Sequence, residues 1–404
     1  MSRRPGTQAI VVGAAALLFG LGACARSESY GFVAVLGNDT TSVERVIRTG
    51  HHIVGDAIGR SPTVTRRHWE ATLAPNGVIT SWRMETTSPN APPADQHLNH
   101  TATFSDQASS FTRGTSAGTR SFSYRKQYAE TVPWNAFVYA TWELLLDAAR
   151  RQPDSASVTV GQYFFEGWDE GHVGYATVER RPDHSYAISS TGLAGTGLAR
   201  VDTNGRLLSY SGQGTTYKQE VRRTTDLPDI DAIADRFAAD EQRLGLATSL
   251  SPRDTVRATA GPATLTIDYS RPMRRGRTLV GDVIATDEVW RTGANAATQL
   301  TTSAAIGLAG VHLAPGTYTI FTLPMKQGVM LVINGESGQW GTEYNAARDM
   351  ARRPMTVDTL AANVERFTIR IEPAAPAKGP AETARLVMEW GTFRWSAPLT
   401  GGGH

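Results

Sequence analysis

Alternating apolar and polar residues, the period of a β-strand, dominate the chain between residue 30 and about residue 212. Runs of this kind at 69–73 and 78–82 flank a Pro-Asn-Gly sequence at 75–77, and an Asn-Gly pair at 204–205 also lies between two such runs. Asn-Gly between alternating runs is a strong hairpin signal, because both residues tolerate the positive φ angles of a tight turn. This part of the chain is therefore predicted to form an antiparallel meander.

Two segments have the spacing of helices. Residues 133–151 open with Pro133, which favours the first turn of a helix, and their apolar side chains continue nearly all round the helix axis. Such a helix must be buried on more than one side, and a curved sheet wrapped around it would provide that burial. The second predicted helix spans residues 229–244, carries one apolar face and ends before Gly245.

Beyond a short linker at residues 245–251 the chain returns to strand periodicity. The predicted strands of this region are 264–269, 298–302, 316–323, 329–333, 366–372 and 384–390. Short strands at this spacing favour a sandwich or a jelly roll. We therefore expect a mainly β protein: an N-terminal antiparallel curved sheet packed on a long helix over residues 30–245, and a C-terminal β-sandwich or jelly-roll-like domain over residues 250–398.

Composition narrows the classes of function. At roughly 100–200 residues per domain, the 404 residues are enough for two domains. A net charge of +2 provides no concentrated basic surface, so nucleic acid is not a predicted partner. Cys24 is the single cysteine, which excludes an internal disulfide and a metal site built from several thiolates. No cofactor is predicted, and the sequence does not determine the oligomeric state.

The first residues differ from the rest of the chain. A positive start at Arg3 and Arg4 precedes an apolar run at 9–23. This run is shorter than the ~20 residues that span a bilayer, which favours a signal peptide over a permanent transmembrane helix. The four residues Leu21-Gly22-Ala23-Cys24 close the run and resemble the lipobox of bacterial lipoproteins.

The lipobox resemblance implies cleavage before Cys24, a diacylglycerol on its sulfur and an acyl chain on its amine. Residues 1–23 would then be the signal peptide and residues 24–29 a lipidated tether, so the predicted partner is a membrane. Asp is absent from position 25, which favours the outer membrane, with the protein facing the periplasm or the cell exterior. The alternative is an ordinary signal peptide followed by a chance cysteine.

Three motifs resemble catalytic or metal-binding patterns. The Gly-x-Ser-x-Gly sequence at 114–118 has polar or strand-like flanks instead of the strand and helix of a nucleophile elbow, which favours a glycine-rich loop. His97 and His100 follow a proline-rich loop without helical spacing, and no third ligand accompanies them, so no metal site is predicted. Glu336 and Glu343 could be paired carboxylates for glycoside cleavage, but the surrounding glycines favour an exposed loop.

The C-terminal region carries several longer motifs. They are Ser251-Pro252-Arg253, Asp268-Tyr269-Ser270-Arg271-Pro272, Gly276-Arg277, Trp290-Arg291-Thr292-Gly293-Ala294-Asn295, the run from Pro315 to Pro324, and Gln339-Trp340-Gly341. In this order they resemble the bacterial domain of unknown function family 2911, over residues 250–398. The resemblance implies an exported, β-rich domain and no particular activity. The N-terminal domain resembles no family.

Arginines provide the candidate binding residues. Four arginines fall within residues 271–277, and Arg291 lies between Trp290 and a glycine-containing turn. An Arg guanidinium binds a carboxylate or phosphate through two parallel hydrogen bonds. We therefore hypothesise that Arg277, Trp290, Arg291 and Asn295 form a site for an anionic or sugar-like ligand. The alternative is a structural network, with Arg291 held by the protein's own carbonyls or by Asp268.

The sequence thus predicts an exported cell-envelope lipoprotein, acting as a non-enzymatic binding or scaffolding module. One alternative is an envelope enzyme of unrecognised type that acts on glycans, which would need titratable groups converging in a cleft. Another is a carrier of an apolar ligand such as a lipid. A carrier would need an apolar cavity of several hundred Å³, which is the usual volume of a ligand-binding site.

Overall fold

The computed structural model describes residues 27–60, 63–152, 156–165, 172–244, 250–373 and 383–402. These residues form a mainly β protein with two α-helices. The predicted signal peptide, Cys24 and most of the predicted linker lie outside the described residues. Within the described ranges, neither helix is long and apolar enough to cross a membrane.

The elements of the N-terminal domain follow in chain order. They are β1 (Ser27–Leu36), β2 (Asp39–Thr49), β3 (His52–Arg60), β4 (Val64–Leu73), β5 (Ile79–Thr87), a 3₁₀ turn (Pro93–Asp95), β6 (His97–Phe104), β7 (Ala108–Thr115), β8 (Gly118–Arg125), β9 (Thr131–Trp134), α1 (Ala140–Arg151), β10 (Ser157–Phe164), β11 (Val173–Arg180), β12 (Tyr186–Ser190), β13 (Leu193–Val201), β14 (Leu207–Ser211), β15 (Glu220–Thr224) and α2 (Ile230–Leu244).

The elements of the C-terminal domain are again mostly strands. They are β16 (Arg253–Ala260), β17 (Ala263–Ser270), β18 (Thr298–Thr302), β19 (Ile306–Leu308), β20 (Val311–Leu313), β21 (Gly316–Pro324), β22 (Val329–Asn334), a 3₁₀ turn (Ala346–Arg348), β23 (Asp349–Pro354), β24 (Thr356–Pro373) and β25 (Ala384–Gly401).

One sheet of fifteen strands organises the N-terminal domain, in the order β8-β7-β6-β5-β4-β3-β2-β1-β15-β14-β13-β12-β11-β10-β9. Its pairs are antiparallel except β9 with β10. The two predicted Asn-Gly hairpins are confirmed as the β4–β5 and β13–β14 connections, with Gly77 and Gly205 at φ of 83° and 79°. The meander therefore follows from local turns along most of its length.

The sheet is strongly curved. Phe111 on β7 stacks on Tyr163 on β10 with ring centroids 3.5 Å apart, although their strands stand near opposite ends of the sheet. Both rings belong to the same hydrophobic core as Leu145 and Leu146 of α1. Helix α1 therefore packs on the concave face, where most of its side chains are buried.

The first helix begins later than its sequence predicts. Residues 133–151 were expected to be helical throughout, but Pro133 lies in the edge strand β9, where a missing N–H is tolerated. The Asn135 side chain then accepts the N–H of Phe137 at 2.9 Å and forms a turn before the helix. The helix predicted over residues 133–151 is therefore shorter in the structure, with twelve residues. The second helix is confirmed to within one residue, with Asp229 accepting the N–H of Ala232.

The second helix, α2, covers the opposite face of the sheet. Its residues Ile230 and Phe237 form a separate apolar cluster with Val43, Ile58 and Val64 from β2, β3 and β4. These strands are consequently buried on both faces, which explains why their sequences include apolar residues on both sides of the alternation.

A buried carboxyl group takes the place of an ordinary helix cap on α1. Glu44 on β2 is fully buried and accepts the N–H groups of Tyr139 at 2.6 Å and Ala140 at 3.1 Å. Its other oxygen accepts the indole N–H of Trp69 at 2.9 Å. These bonds satisfy backbone donors that a helix N-terminus otherwise leaves without partners. Burial nevertheless raises the pKa of Glu44 to about 8.

Two sheets form the C-terminal domain. One has the order β16-β17-β18-β21-β22-β23 and the other the order β20-β19-β25-β24. Both contribute to a single core that includes Leu265, Leu331, Phe367, Trp390 and Trp395. Two layers around one core account for the alternating burial along β17 and the more continuous burial along β25.

The two domains are in direct contact. The turn between β1 and β2 meets the turn before Arg277: the N–H of Asn38 donates to the carbonyl of Arg275 at 2.9 Å. Gly37 has φ of 65°, and a Cβ at this position would lie 2.0 Å from the same carbonyl oxygen. Asp39 forms salt bridges with both Arg275 and Arg60. Tight backbone contact and a shared carboxylate therefore join the domains.

The buried Glu44 predicts a pH dependence of stability. Its folded pKa lies above its unfolded value, so the folded protein holds a proton that the unfolded chain has released between about pH 5 and 8. The free energy of unfolding should therefore fall as pH rises through this range, by at most about 1.4 kcal/mol per pH unit from this group. Glu44→Gln should flatten the slope in urea unfolding measured at several pH values.

Glu179→Gln is the matched control, because Glu179 on β11 is exposed. It should leave the wild-type slope unchanged. A Glu44→Gln protein with the same slope as the wild type would show that Glu44 titrates alike in the folded and unfolded states.

Candidate functional site

Four arginines of the predicted cluster bind groups of the protein itself. Their partners are Asp254, Thr368 and the Phe367 carbonyl for Arg271; Asn363 and the Arg277 carbonyl for Arg274; Asp39 for Arg275; and the Met273 and Arg274 carbonyls for Arg277. These bonds make residues 271–277 a structural clasp within the protein. Burial, followed by the charge of Arg275, lowers the pKa of Arg277 to about 10.

Arg291 differs from these four. It has no hydrogen bond or salt bridge with any residue that the structure describes, although its side chain is partly buried. Burial alone lowers its pKa. Asp268, the alternative partner, pairs with Arg253 at 2.8 Å. The guanidinium nitrogens of Arg291 are not sealed from solvent, so they remain available to a ligand.

The loop that carries Arg291 is fixed at its base. Trp290 exchanges two backbone hydrogen bonds with Thr322, at 2.7 and 3.0 Å. Its ring packs into the core, stacked on Trp390 at 6.0 Å and against Phe367 at 5.1 Å. Trp290 is therefore an anchor for the loop and presents its ring to the core.

Unusual backbone angles shape the next residues. Thr292 has φ of 53°, Gly293 153° and Asn295 58°. A positive φ is strained for a β-branched residue, and such strain persists only where the surroundings enforce it. Here the hydroxyl of Thr298 donates to the carbonyl of Thr292 at 2.7 Å. The loop is thus held in one conformation by contacts on both sides.

Gly341 brings two of the predicted site residues together. Its N–H donates to the carbonyl of Asn295 at 3.0 Å, and a Cβ at position 341 would lie 2.2 Å from Cδ of Arg291. The stem of Arg291 therefore passes over a position that must lack a side chain. Asn295 is exposed beside it.

Arg277 lies toward the other domain. A Cβ at Gly37 would be 2.8 Å from Cγ of Arg277, so the arginine stem packs against the β1–β2 turn. Nε and one Nη of Arg277 bond to carbonyls, while the other Nη has no bond with a described residue.

Lys218 is a functional candidate that the sequence did not indicate. It lies in the loop between β14 and β15 and donates to the carbonyl of Gln213 at 2.9 Å. Burial lowers the pKa of Lys218, and so do the nearby charges of Arg277 and Arg291, while Glu288 and Asp282 act in the opposite direction. The charges that act on Lys218 thus include residues of the C-terminal domain.

The interior of the N-terminal domain contains a small cavity. It has a volume of about 10 Å³ and is lined by residues that include Tyr139, Trp142, Tyr210, Tyr217 and Gln219. This volume accommodates about one water molecule. The volume of this cavity beside α1 is far smaller than the several hundred Å³ that a lipid carrier would require.

The other sequence motifs lie on a hairpin, a strand and a loop. The Gly-x-Ser-x-Gly sequence is the β7–β8 hairpin, with Ser116 exposed in its turn. His97 and His100 lie on β6, one exposed and one buried, which separates them. Glu343 is exposed on the loop after β22, where its carboxylate accepts the N–H of Trp340 at 2.9 Å.

The motifs of the C-terminal domain have a counterpart among known families. Residues 251–399 match DUF2911, described as a protein of unknown function. The DUF2911 domain thus includes Arg277 and Arg291 but not Lys218, and no family matches the N-terminal domain.

Comparisons with other proteins add little. No curated protein matches the chain. A crystal structure of a DUF1089 family protein from Pseudomonas aeruginosa aligns over 44% of this chain and 93% of its own, with 10% identity and a TM-score of 0.32. A beta-barrel-like protein of DUF1849 from Brucella abortus aligns over 49% and 94%, with 10% identity and a TM-score of 0.31. Neither similarity bears on function.

The different surroundings of Arg277 and Arg291 predict different effects on stability. Arg277→Ala removes two charged hydrogen bonds to carbonyls and should lower the free energy of unfolding by about 2 kcal/mol. Arg291→Ala removes no bond to a described residue and should change it by less than about 0.5 kcal/mol. Urea unfolding of both variants measures the difference. A loss of several kcal/mol in Arg291→Ala would identify Arg291 as structural and remove it from the site.

Proposed function

We propose that the protein is an exported cell-envelope lipoprotein that binds an anionic or sugar-like ligand through its DUF2911 domain, without catalysing a reaction. The observation that carries the proposal is Arg291. Its guanidinium has no partner among the described residues and is open to solvent, so it is available to hold an anionic group through two parallel hydrogen bonds.

The surroundings of Arg291 support a binding role. Trp290 anchors the loop in the core, and the strained Thr292 is held by its neighbours. Asn295 adds an exposed amide that can donate or accept a hydrogen bond. A binding group on a rigid base loses little conformational entropy when its ligand arrives.

The anchor is the second part of the proposal. Cys24 would carry the acyl chains, and several chains together give a stable attachment at ~0.8 kcal/mol per buried CH₂. Strand β1 begins at Ser27, inside the segment expected to be a tether. At about 3.5 Å per residue, the N-terminal domain would then lie within roughly 10 Å of the membrane surface.

Lipidation is tested by metabolic labelling with a fatty acid. The wild-type protein should carry the label and fractionate with membranes, whereas Cys24→Ser should carry none. Ser27→Ala, three residues away on an exposed position, should be labelled like the wild type. Equal labelling of Cys24→Ser and the wild type would refute the anchor.

Ligand binding is tested by thermal unfolding with phosphate, citrate, acetate and glucuronate at constant ionic strength. A bound anion should raise the Tm of the wild-type chain, because a ligand that binds only the folded state stabilises it. Arg291→Met should lose the increase while keeping the Tm without ligand. If none of these anions raises the wild-type Tm, the proposed binding function is wrong.

A further inference from the structure

Strand β8 forms one edge of the fifteen-stranded sheet, and within the described residues only β7 pairs with it. The N–H of Lys126 donates to the carbonyl of Gln107 at 2.9 Å, which fixes the alternation of hydrogen bonds in the β7–β8 hairpin. Backbone groups of the even-numbered β8 residues therefore bond to β7, whereas those of Thr119, Ser121 and Ser123 point away from it. The outer side of β8 thus presents N–H and C=O groups that can pair with a further strand.

The open edge is positively charged. Arg120 and Arg125 on β8 form no hydrogen bond or salt bridge with any residue in the described ranges. Lys126 follows directly, and its ammonium group lies 3.6 Å from the carboxylate of the exposed Asp106. Like charges opposite each other destabilise a pair of strands. A second copy of β8, which carries the same cations, is therefore a poor partner for this edge, and an acidic strand is a favourable one.

A cavity of about 350 Å³ lies at the start of β8. It is lined by residues of the β7–β8 hairpin, among them Arg113 and Arg120, and by Ala94 from the turn before β6. Pockets of roughly 300–1,000 Å³ are usual for bound ligands. The cavity is therefore large enough to receive a side chain of a strand that lies along β8.

Two arginines give this cavity its charge. Arg113 and Arg120 are directly opposite each other in the register of β7 and β8, which brings two like charges together. Asp95 forms a salt bridge with Arg113 at 2.9 Å and so offsets one of these charges. The charge of Arg120 has no counter-charge in the part of the chain that the structure describes. A carboxylate in the cavity would supply one, through the two parallel hydrogen bonds that a guanidinium can donate.

The side chains on one face of β8 set the pattern of the partner strand. Arg120, Phe122 and Tyr124 alternate along β8 and so share one face. Phe122 and Tyr124 pack against the core of the sheet but are only partly buried. An added strand would therefore place an acidic residue opposite Arg120 and an apolar residue opposite Phe122. Acidic and apolar residues two positions apart are thus the expected sequence signature of the partner.

We propose that β8 binds an extended acidic segment of another protein as an additional antiparallel strand, with a carboxylate side chain of that segment in the cavity beside Arg113 and Arg120. In strand addition, main-chain hydrogen bonds supply affinity and pockets for alternate side chains supply specificity. The open edge of β8 and the arginine cavity provide these two elements side by side. The inference is independent of ligand binding by the DUF2911 domain.

The test is fluorescence anisotropy of the full chain with a labelled peptide of sequence Thr-Val-Thr-Glu-Thr-Val-Thr. The wild type should bind this peptide, and Arg120→Met should weaken the affinity about tenfold, equivalent to ~1.4 kcal/mol. A peptide with Gln in place of Glu should bind the wild type about as weakly, with little further loss in Arg120→Met, because both changes remove the same contact. Arg222→Met is the matched control, since Arg222 is an exposed arginine on β15 of the same sheet, and it should leave binding unchanged.

Methylation of the peptide backbone separates strand addition from simple attraction of charges. In an antiparallel pair with Glu opposite Arg120, the two Thr residues beside the Glu direct their N–H groups toward β8, and the N–H of the Glu points away. Methylating these two Thr nitrogens should abolish binding, whereas methylating the Glu nitrogen should preserve it. Because the protein itself is unchanged, this comparison does not depend on how a variant folds.

Several results would overturn the inference. If the peptide does not bind the wild type, or binds it and Arg120→Met equally well, the arginine cavity is not its site. If both methylated peptides bind alike, no strand is added. If the amide of N-acetylglutamate binds as tightly as the peptide, the cavity is a site for a small anion instead. Arg291→Met should bind the peptide like the wild type, so the outcome is separate from that of the proposed function.

Discussion

The absence of a side chain at position 37 is the constraint on which the two-domain arrangement depends. A Cβ there would overlap the carbonyl of Arg275, so only a glycine lets the two turns meet and lets Asn38 bond across the contact. Asp39 then reaches Arg275 and Arg60 together and ties the arginine turn to the N-terminal sheet. The relative position of the two domains follows from this contact.

The interior of the N-terminal domain is organised by buried carboxyl groups. Glu44 caps α1 from β2, and one turn along the helix Glu143 bonds to Tyr30 at 2.5 Å and to Arg223 at 2.7 Å. Burial raises the pKa of both carboxyl groups. The hydrogen-bond donors around them offset part of the free-energy cost of burying these polar groups. Because the helix, aromatic rings and polar partners fill the concave face, ligand binding is more readily explained at the protein surface.

Local signals in the sequence predicted much of the fold and less of the site. Turns such as Asn204-Gly205 and the cap at Asp229 depend on neighbours in the chain, so they could be identified. Pro133 was misassigned because its strand pairing is set by distant residues. Arg291 was recognisable from its motif, but whether it had a partner depended on the three-dimensional contacts. Lys218 has no local signal in the sequence, because the charges that act on it belong to residues distant in the chain.

The position of β1 in the middle of the fifteen-stranded sheet has a consequence for how the protein is made. Gly31 on β1 pairs with Thr224 on β15, whereas its other neighbour, β2, follows directly in the chain. During synthesis the first eight strands can therefore assemble with one edge of β1 unpaired until the last strand emerges. An open edge is a template for wrong pairing, and contacts between distant residues form slowly. Folding of this domain should thus depend on the chain being kept apart from others until residue 224 is available.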